Sequence, residues 1–347
     1  MRCVRGISFV VVTYNSMETI AECITSIFAQ KMQPLELLVV DNASIDGTPD
    51  FVNSAFSGAR VIKNRQNVGY GIANNTGARI ARGDLIAIVN PDAALDPRWS
   101  SEIMNVIESN PKCAAAEGKL LLADQPGFIN CAGSNINLLG FGCMSHYDEP
   151  STAADADEKI VGYASGAAFA IRRDIFLELG GFDESYFLYH EDVELGLRVH
   201  ETGREIRYAP KAIAYHHYKS YLGAAKLRYL ERNRWKTLVK HMPTRYFLVC
   251  GPLLALSELG LIFRLASMGI LGSKAGAILD FLRELPATIQ ARRRMRAVRR
   301  GRETPMDLLT DDFPRTLPRS GRSTLLGQQL VRAYYRAFIG RGRHRWS

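Results

Sequence analysis

The chain has 347 residues, 47% of them hydrophobic and 9% aromatic, which suits one large or two modest globular domains and excludes a disordered or fibrous chain. With 44 basic against 35 acidic residues it carries a formal charge of +9, a balance that points to a polyanionic partner: nucleic acid, acidic lipid or a diphosphate. Its six cysteines form no Cys-X-X-Cys pair, which argues against structural zinc and for reduced thiols in a cytosolic setting.

Residues 7–12, Ile-Ser-Phe-Val-Val-Val, predict a buried first strand; this N-terminal run leads directly into folded-looking sequence with no small-residue cleavage site and does not read as a signal peptide. Thr13-Tyr14-Asn15-Ser16 follows, with Asn15 or Ser16 placed to cap a helix over about residues 17–30. A second strand is predicted at 35–40, ending in Asp41-Asn42-Ala43-Ser44; Asp46-Gly47-Thr48 then turns into a helix near 48–56. Residues 60–63 make a short third strand, and Asn67-Val68-Gly69-Tyr70-Gly71 opens a helix at about 72–82. The fourth strand, Leu85-Ile86-Ala87-Ile88-Val89, stops at Asn90-Pro91-Asp92, because Pro91 cannot donate to a sheet ladder.

Strands separated by helix-length segments predict a parallel sheet covered on both faces. Parallel strands deliver their carboxyl ends to one rim, where open α/β sheets bind ligands. That rim collects Tyr14 and Asn15, Asp41 and Asn42, Asn64 and Asn67, and Asn90 and Asp92. Tyr14 can stack on a base, Asp41 can accept a base N–H, and residues 67–71 can bring backbone close to a nucleotide. No Gly-X-Gly-X-X-Gly follows the first strand and no Gly-X4-Gly-Lys-Ser/Thr loop occurs, so neither a Rossmann dehydrogenase nor a P-loop enzyme is indicated.

Residues 98–108 read as a helix, 114–122 as a strand, and 123–160 as loop-rich. Residues 162–171, small and apolar, predict a strand that leaves room for a bound group. Glu191 and Asp192 open a helical pattern carrying Val193 and Leu197, where acidic side chains favour the helix dipole in any case. A strand at 204–208 is expected to end before Pro210. His216 and His217 are adjacent, and neighbours on an extended chain face opposite ways. Arg232 and Arg234 either meet phosphates or lie on a solvated helix face.

Composition shifts after Pro243. Residues 246–271 are dominated by apolar side chains, but Pro252, Glu258 and Arg264 spoil a clean membrane span. Residues 275–289 are amphipathic and run into an arginine cluster, 292–300. No aromatics are interleaved with those arginines, so an anionic membrane surface is the expected partner rather than nucleic acid. The alternative is a helical appendage packed on the first domain or on a second subunit, compatible with a homo-oligomer. Residues 301–323 read as flexible, and 325–339 as a last short helix before a basic tail.

The segments VVTYNS, VVDNASIDGT and NVGYGIANNTGARIARGDLIAIVNPDA together resemble the nucleotide-sugar half of the family 2 glycosyltransferases of GT-A type. GGFDE followed by HEDVELGLR resembles the acceptor half of the same enzymes, so the resemblance spans roughly residues 6–240. It implies a mostly parallel, Rossmann-like α/β sheet with helices on both faces over residues 1–240; composition adds a helical membrane-associating region over 241–300 and a flexible basic tail with a short helix over 301–347. The donor would lie on Thr13, Tyr14, Asn15 and Asp41, on Asn67, Gly69 and Asn74, and on Asn90 and Asp92. The family's Asp-X-Asp is Asn90-Pro91-Asp92 here, similar to the variant in rhamnosyltransferase-like members, and it leaves Asp92 as the one certain carboxylate.

The implied metal is Mg²⁺ or Mn²⁺, held by Asp92 and by His216, with His217 the alternative. Asp192 is the implied general base and Glu191 an orienting neighbour. The expected reaction is inverting transfer of a sugar, L-rhamnose from dTDP-rhamnose first and a UDP-hexose second, to a lipid-linked saccharide for cell-wall or surface polysaccharide. The expected place is the cytoplasmic face of the cell membrane. A nucleotidyltransferase would need a Gly-rich loop with a catalytic cation after the first strand. A basic RNA- or membrane-binding scaffold would have no use for Asp41, Asp92 and Asp192 together.

Overall fold

The computed structural model describes residues 6–151, 156–218, 223–298, 306–312 and 322–339. They fall into two compact units. The first comprises residues 1–134, 144–199 and 203–219, and the second residues 135–143, 200–202 and 220–347.

The first unit is built on a mixed sheet. Its parallel core contains β1 (Ile7–Thr13), β2 (Glu36–Asp41), β3 (Ala59–Lys63) and β4 (Leu85–Val89) in the order β3-β2-β1-β4. The helices between them are α1 (Ile20–Phe28), α2 (Thr48–Ala55) and α3 (Tyr70–Ile80). The period of two in β1 divides its side chains between two cores. Phe9 and Val11 pack with Ile20 and Ile24 of α1 and with Trp99 and Ile103 of α4 (Trp99–Ser109), whereas Val10 and Val12 pack with Ala73 and Ala78 of α3. Neither Asn15 nor Ser16 caps α1: Thr19 is the cap residue without a side-chain bond, and the Ser16 carbonyl accepts from Thr19 and Ile20.

Beyond β4 the sheet becomes mixed. β5 is Ala93–Leu95 and β6 is Cys113–Leu122. The stretch expected to be loop instead holds β7 (Gln125–Cys131), β8 (Ser134–Asn137), β9 (Gly142–Met144) and β10 (Lys159–Ile160). β7 pairs back on β6 as a hairpin, an arrangement that weak alternation in a polar stretch conceals. The expected strand at 162–171 is only β11 (Ala168–Arg172), wedged antiparallel between β4 and β6; before it Tyr163 makes a single antiparallel bridge to Ser134 and residues 166–167 turn.

After α5 (Arg173–Glu178) and α6 (Glu191–Glu201), β12 runs from Glu205 to His216, straight through Pro210. The ladder to β6 shifts between Ala209 and Ile213, so the proline sits in an irregularity where no ladder donor is required. A Cβ on Gly118 would stand 2.0 Å from the Ala212 carbonyl oxygen, so the bulge fits only against glycine.

The second unit is mainly helical: α7 (Ala224–His241), α8 (Thr244–Ser267), α9 (Leu271–Val298) and α10 (Arg322–Tyr334). Residues 309–310, expected to be flexible, form β13 (Leu309–Thr310), parallel to β8. Arg234 neither meets a phosphate nor lies in solvent. It is fully buried, paired with Glu231 and Glu258, and its guanidinium stacks 4.4 Å over Phe141. Arg292 of the expected membrane-binding cluster donates to the carbonyls of Val239 and Met242, the last turn of α7. Arg299 and Arg300 lie outside the described residues.

Candidate active site

The carboxyl ends of β1, β2 and β4 meet at one rim, as parallel order requires. At the β1–β2 end the buried Asp41 carboxylate accepts from the Thr13 hydroxyl at 2.8 Å, the Ser44 hydroxyl at 2.5 Å and the Ser44 amide at 3.0 Å. Asn15, in a left-handed conformation (φ 52°), joins this loop by its amide to Ser44 Oγ and by its side-chain oxygen to the Ile45 amide. Tyr14 beside it is 54% exposed, an aromatic face open to a flat partner.

The loop opening α3 is held from both sides. Asn67 Oδ1 accepts from the Gly69 amide at 2.9 Å, so this side chain is spent on its own turn, and Asn42 donates to the Gly69 carbonyl. Gly69 adopts φ 87° and ψ 172°, a region essentially closed to other residues, and a Cβ there would lie 2.3 Å from the Phe187 carbonyl oxygen. Asn74 donates to the Tyr70 carbonyl; its Oδ1 is buried with no hydrogen-bond partner among the described residues.

β4 ends at Val89, and Asn90, whose amide donates to the Ala167 carbonyl at 2.8 Å, leads into Asp92. β5 pairs antiparallel with β12, setting His216 opposite Ala93, one residue past Asp92. Nε2 of His216 consequently lies 3.3 Å from Asp92 Oδ1, while its Nδ1 meets Asn130 Oδ1 at 2.9 Å. With the Nδ1 proton given to Asn130, the Nε2 lone pair faces a carboxylate oxygen that has no hydrogen-bond partner. A positive charge, either a proton or a metal ion, is needed between them. Burial alone would raise the Asp92 pKa; with a proton on His216 Nε2, the hydrogen bond and charge that this supplies outweigh burial and hold the carboxyl below its ordinary value.

His217 turns the other way. Its Nε2 meets Glu22 at 2.9 Å and its Nδ1 lies 3.5 Å from Asp124, and chiefly the bond to Glu22 raises its pKa. One nitrogen and one carboxylate oxygen are a donor set that suits a borderline-to-hard divalent ion. Among the described residues no cluster of three or more His, Cys, Asp or Glu could hold a metal by itself.

Glu191 and Asp192 open α6 directly after Tyr189 and His190, two consecutive non-glycine residues in left-handed conformations (φ 68° and 73°). Such strain at a helix entrance persists only where the surroundings enforce it, and it tends to occur at functional sites. Glu191 is buried with Oε2 unpartnered; burial first and Asp192 second lift its pKa well above the ordinary range. Asp192 is partly accessible and accepts from the amides of Val193 at 2.8 Å and Gly166 at 3.3 Å; desolvation raises its pKa. Two carboxyls this close do not ionise together readily, so burial and mutual repulsion raise both and they titrate as one coupled pair.

Two side chains that sequence reasoning missed support this pair. Tyr70 donates to the Gly166 carbonyl at 2.7 Å, and its own pKa is raised by burial and then by Glu191, Asp192 and Asp92, so it stands amid all three carboxyls. Glu117 in the middle of β6 is buried. It accepts from the Ser134 amide (2.6 Å), the Ser134 hydroxyl (2.7 Å) and the Ser165 amide (2.9 Å). Burial pushes its carboxyl up to about 7. The only sequence signal was an acidic residue inside an otherwise small and apolar strand, Cys-Ala-Ala-Ala-Glu-Gly.

A mixed sheet with a 3-2-1-4 parallel core, an acidic residue just past its central strand and a buried acidic pair at a helix entrance define the GT-A class of fold. In agreement, the chain aligns with solved GalNAc-T7 bound to UDP, GalNAc and Mn²⁺ (TM-score 0.57, 15% identity, 71% of this chain and 49% of that one). It also aligns with mannosyltransferase PcManGT from Pyrobaculum calidifontis in complex with GDP-Man and Mn²⁺ (TM-score 0.50, 17% identity, 96% and 81%). The chain thus spans about half the length of GalNAc-T7. The family model "Glycosyl transferase family 2" matches residues 8–180. An N-acetylglucosaminyl-diphospho-decaprenol L-rhamnosyltransferase of Mycobacterium tuberculosis is 30% identical over 231 residues, 60% of this chain and 75% of the relative. A glucosyl-dolichyl phosphate glucuronosyltransferase of Haloferax volcanii is 29% identical over 229 residues, 60% and 68% respectively. The chain belongs to glycosyltransferase family 2.

Proposed function

We propose that this glycosyltransferase moves L-rhamnose from dTDP-rhamnose to a hydroxyl of a lipid-linked saccharide, with inversion, during synthesis of cell-wall or surface polysaccharide. The observation that carries the reading is the Asp92–His216 pair at the end of the central strand, with Asp192 held on Gly166 in the same unit. The mycobacterial relative supports both the sugar and a lipid diphosphate acceptor, and Asn90-Pro91-Asp92 agrees with it. Transfer from a UDP-sugar is the second reading, favoured by the near-equal identity of the archaeal glucuronosyltransferase. A lipid-linked acceptor places the chain at a membrane, on the cytoplasmic face where nucleotide sugars are made.

Asp92 and His216 would hold Mg²⁺ or Mn²⁺, which when bound neutralises charge on the departing diphosphate. The remaining work falls to the chain. Tyr14 covers the base while the Asp41–Thr13–Ser44 network fixes the loop beneath it. The narrow turn at Gly69 brings backbone to the donor. Asp192 accepts the acceptor's hydroxyl proton as the new C–O bond forms on the face opposite the breaking C1–O bond to phosphate. One displacement with one base inverts the anomeric centre, and Glu191 beside it orients the helix entrance.

Thermal melting with dTDP or UDP, each with and without Mn²⁺, tests the donor half, since a ligand that binds only the folded state raises its stability. The expected result is stabilisation by dTDP that needs metal, is lost in Asp92→Asn and His216→Gln and is kept in His217→Gln. Asp192→Asn should keep the nucleotide shift and lose transfer by roughly 10²–10⁴-fold, the contribution of a general base. No shift with either nucleotide in folded protein would overturn the reading.

A further inference from the structure

The long helices of the second unit bury a charged seam among their apolar contacts and leave a further apolar row outside. Buried between them, Arg234 and Lys274 share Glu231, and both reach Glu258 of α8. The pairs Arg228–Asp280, Arg232–Glu284 and Lys236–Glu284 continue the charged seam along α7 and α9. Outward on α8 stand Leu248, Leu256, Leu259 and Phe263, with Leu248 77% and Phe263 75% exposed. α9 adds Leu279 and Leu282 at successive turns, also exposed, and the outward row ends in exposed Arg293 and Arg294. A helix pair adapted to water buries its leucines and solvates its charges. α8 does bury Leu253, Leu254 and Leu265, so its exposed row is an additional apolar face, set over buried charge, that calls for an apolar medium on the outer side.

We infer that this face of α8 and α9 docks into an anionic lipid leaflet, with α8 lying in the plane of the interface instead of crossing the bilayer. α8 is 24 residues long with a mean hydropathy of 1.9 over its most apolar window, and length alone would let it cross. Crossing would carry Glu258, near its middle, to the bilayer centre together with the buried cations it pairs with, where charge is most costly. In the plane, the charged seam stays against protein while one apolar face enters the acyl boundary. Residues 244–298 hold eight basic and three acidic side chains, so a second copy would meet like charge, and anionic headgroups opposite charge. The inference rests on the membrane placement proposed above, not on the donor or the metal.

Flotation of the full chain with vesicles of phosphatidylcholine alone or with phosphatidylglycerol tests the docking. Binding should require the anionic lipid. It should fall by roughly tenfold or more in Leu256→Ser/Leu259→Ser/Phe263→Ser, whose folding is checked by circular dichroism, and by about tenfold in Arg293→Gln/Arg294→Gln. An impermeant maleimide then tests the orientation: Thr244→Cys and Ser267→Cys should both be labelled on bound, sealed vesicles. Protection of one end would overturn the in-plane placement. Absence of flotation with concentration-dependent dimerisation would overturn the lipid as occupant. Unchanged nucleotide-induced melting in all these variants would show that the donor site is a separate matter.

Discussion

Replacing Glu117 by Gln should flatten the pH dependence of stability in the first unit. In the unfolded chain this carboxyl titrates near its ordinary 4.5, and in the fold it titrates at about 7 because burial penalises the charge more than three hydrogen bonds repay it. Between those values the folded chain keeps a proton that the unfolded chain has released, so stability falls as pH rises through that window. At 1.36 kcal/mol per pH unit the whole window is worth about 3 kcal/mol, complete above pH 8. For a unit of this size, that corresponds to roughly 6–12 °C in melting temperature. Gln cannot ionise, so its fixed cost, the amide facing the Ser134 N–H, is the same at every pH. Melting of both proteins at pH 5, 6, 7 and 8 isolates the Glu117 contribution from that of Glu191 and Asp192, which both retain. The parent's advantage should shrink by about 2.5 kcal/mol from pH 5 to pH 8, the rest of the window lying below pH 5. A constant difference within about 0.5 kcal/mol would refute the argument that a lone charge is forced into the sheet at β6.

Gly69→Ala should destabilise the first unit by about 3 kcal/mol, combining backbone strain with a clash that moves Phe187 and the turn leading to Asp192. Transfer should fall with it, and a variant melting like the parent would mean that the turn does not hold this conformation. Glu231→Gln should cost the second unit about 3 kcal/mol at pH 7, since it strands Arg234 and Lys274 in a buried seam. The Glu231 carboxyl is held down to about 2, chiefly by Arg234 and then Lys274 working against burial. Its contribution is therefore complete above pH 4.5 and lost as pH falls toward 2, so the gap between parent and variant should narrow in urea unfolding at pH 3.

The sequence by itself determined the parallel core and its rim. Leu85–Val89 lies where its apolar run and Pro91 place it, and β1 to β3 fall within a residue or two of expectation, because strand burial and chain-breaking prolines are local properties. It also put Asp41 and Asp92 at strand ends and the Glu191–Asp192 pair at a helix entrance, positions that backbone geometry alone decides. Pro210 misled because a bulge can absorb a proline inside a strand, and only the partner strand with Gly118 reveals that bulge. The choice between His216 and His217 needed the β5–β12 register. The role of Glu117 needed Ser134 and Ser165, brought to it by separate turns. Arg234 looked like a surface or phosphate-binding cation until Glu258, 24 residues further on, met it in the interior. Each of these was decided by long-range pairing, which sets what a side chain faces; the local pattern sets only which way it can point.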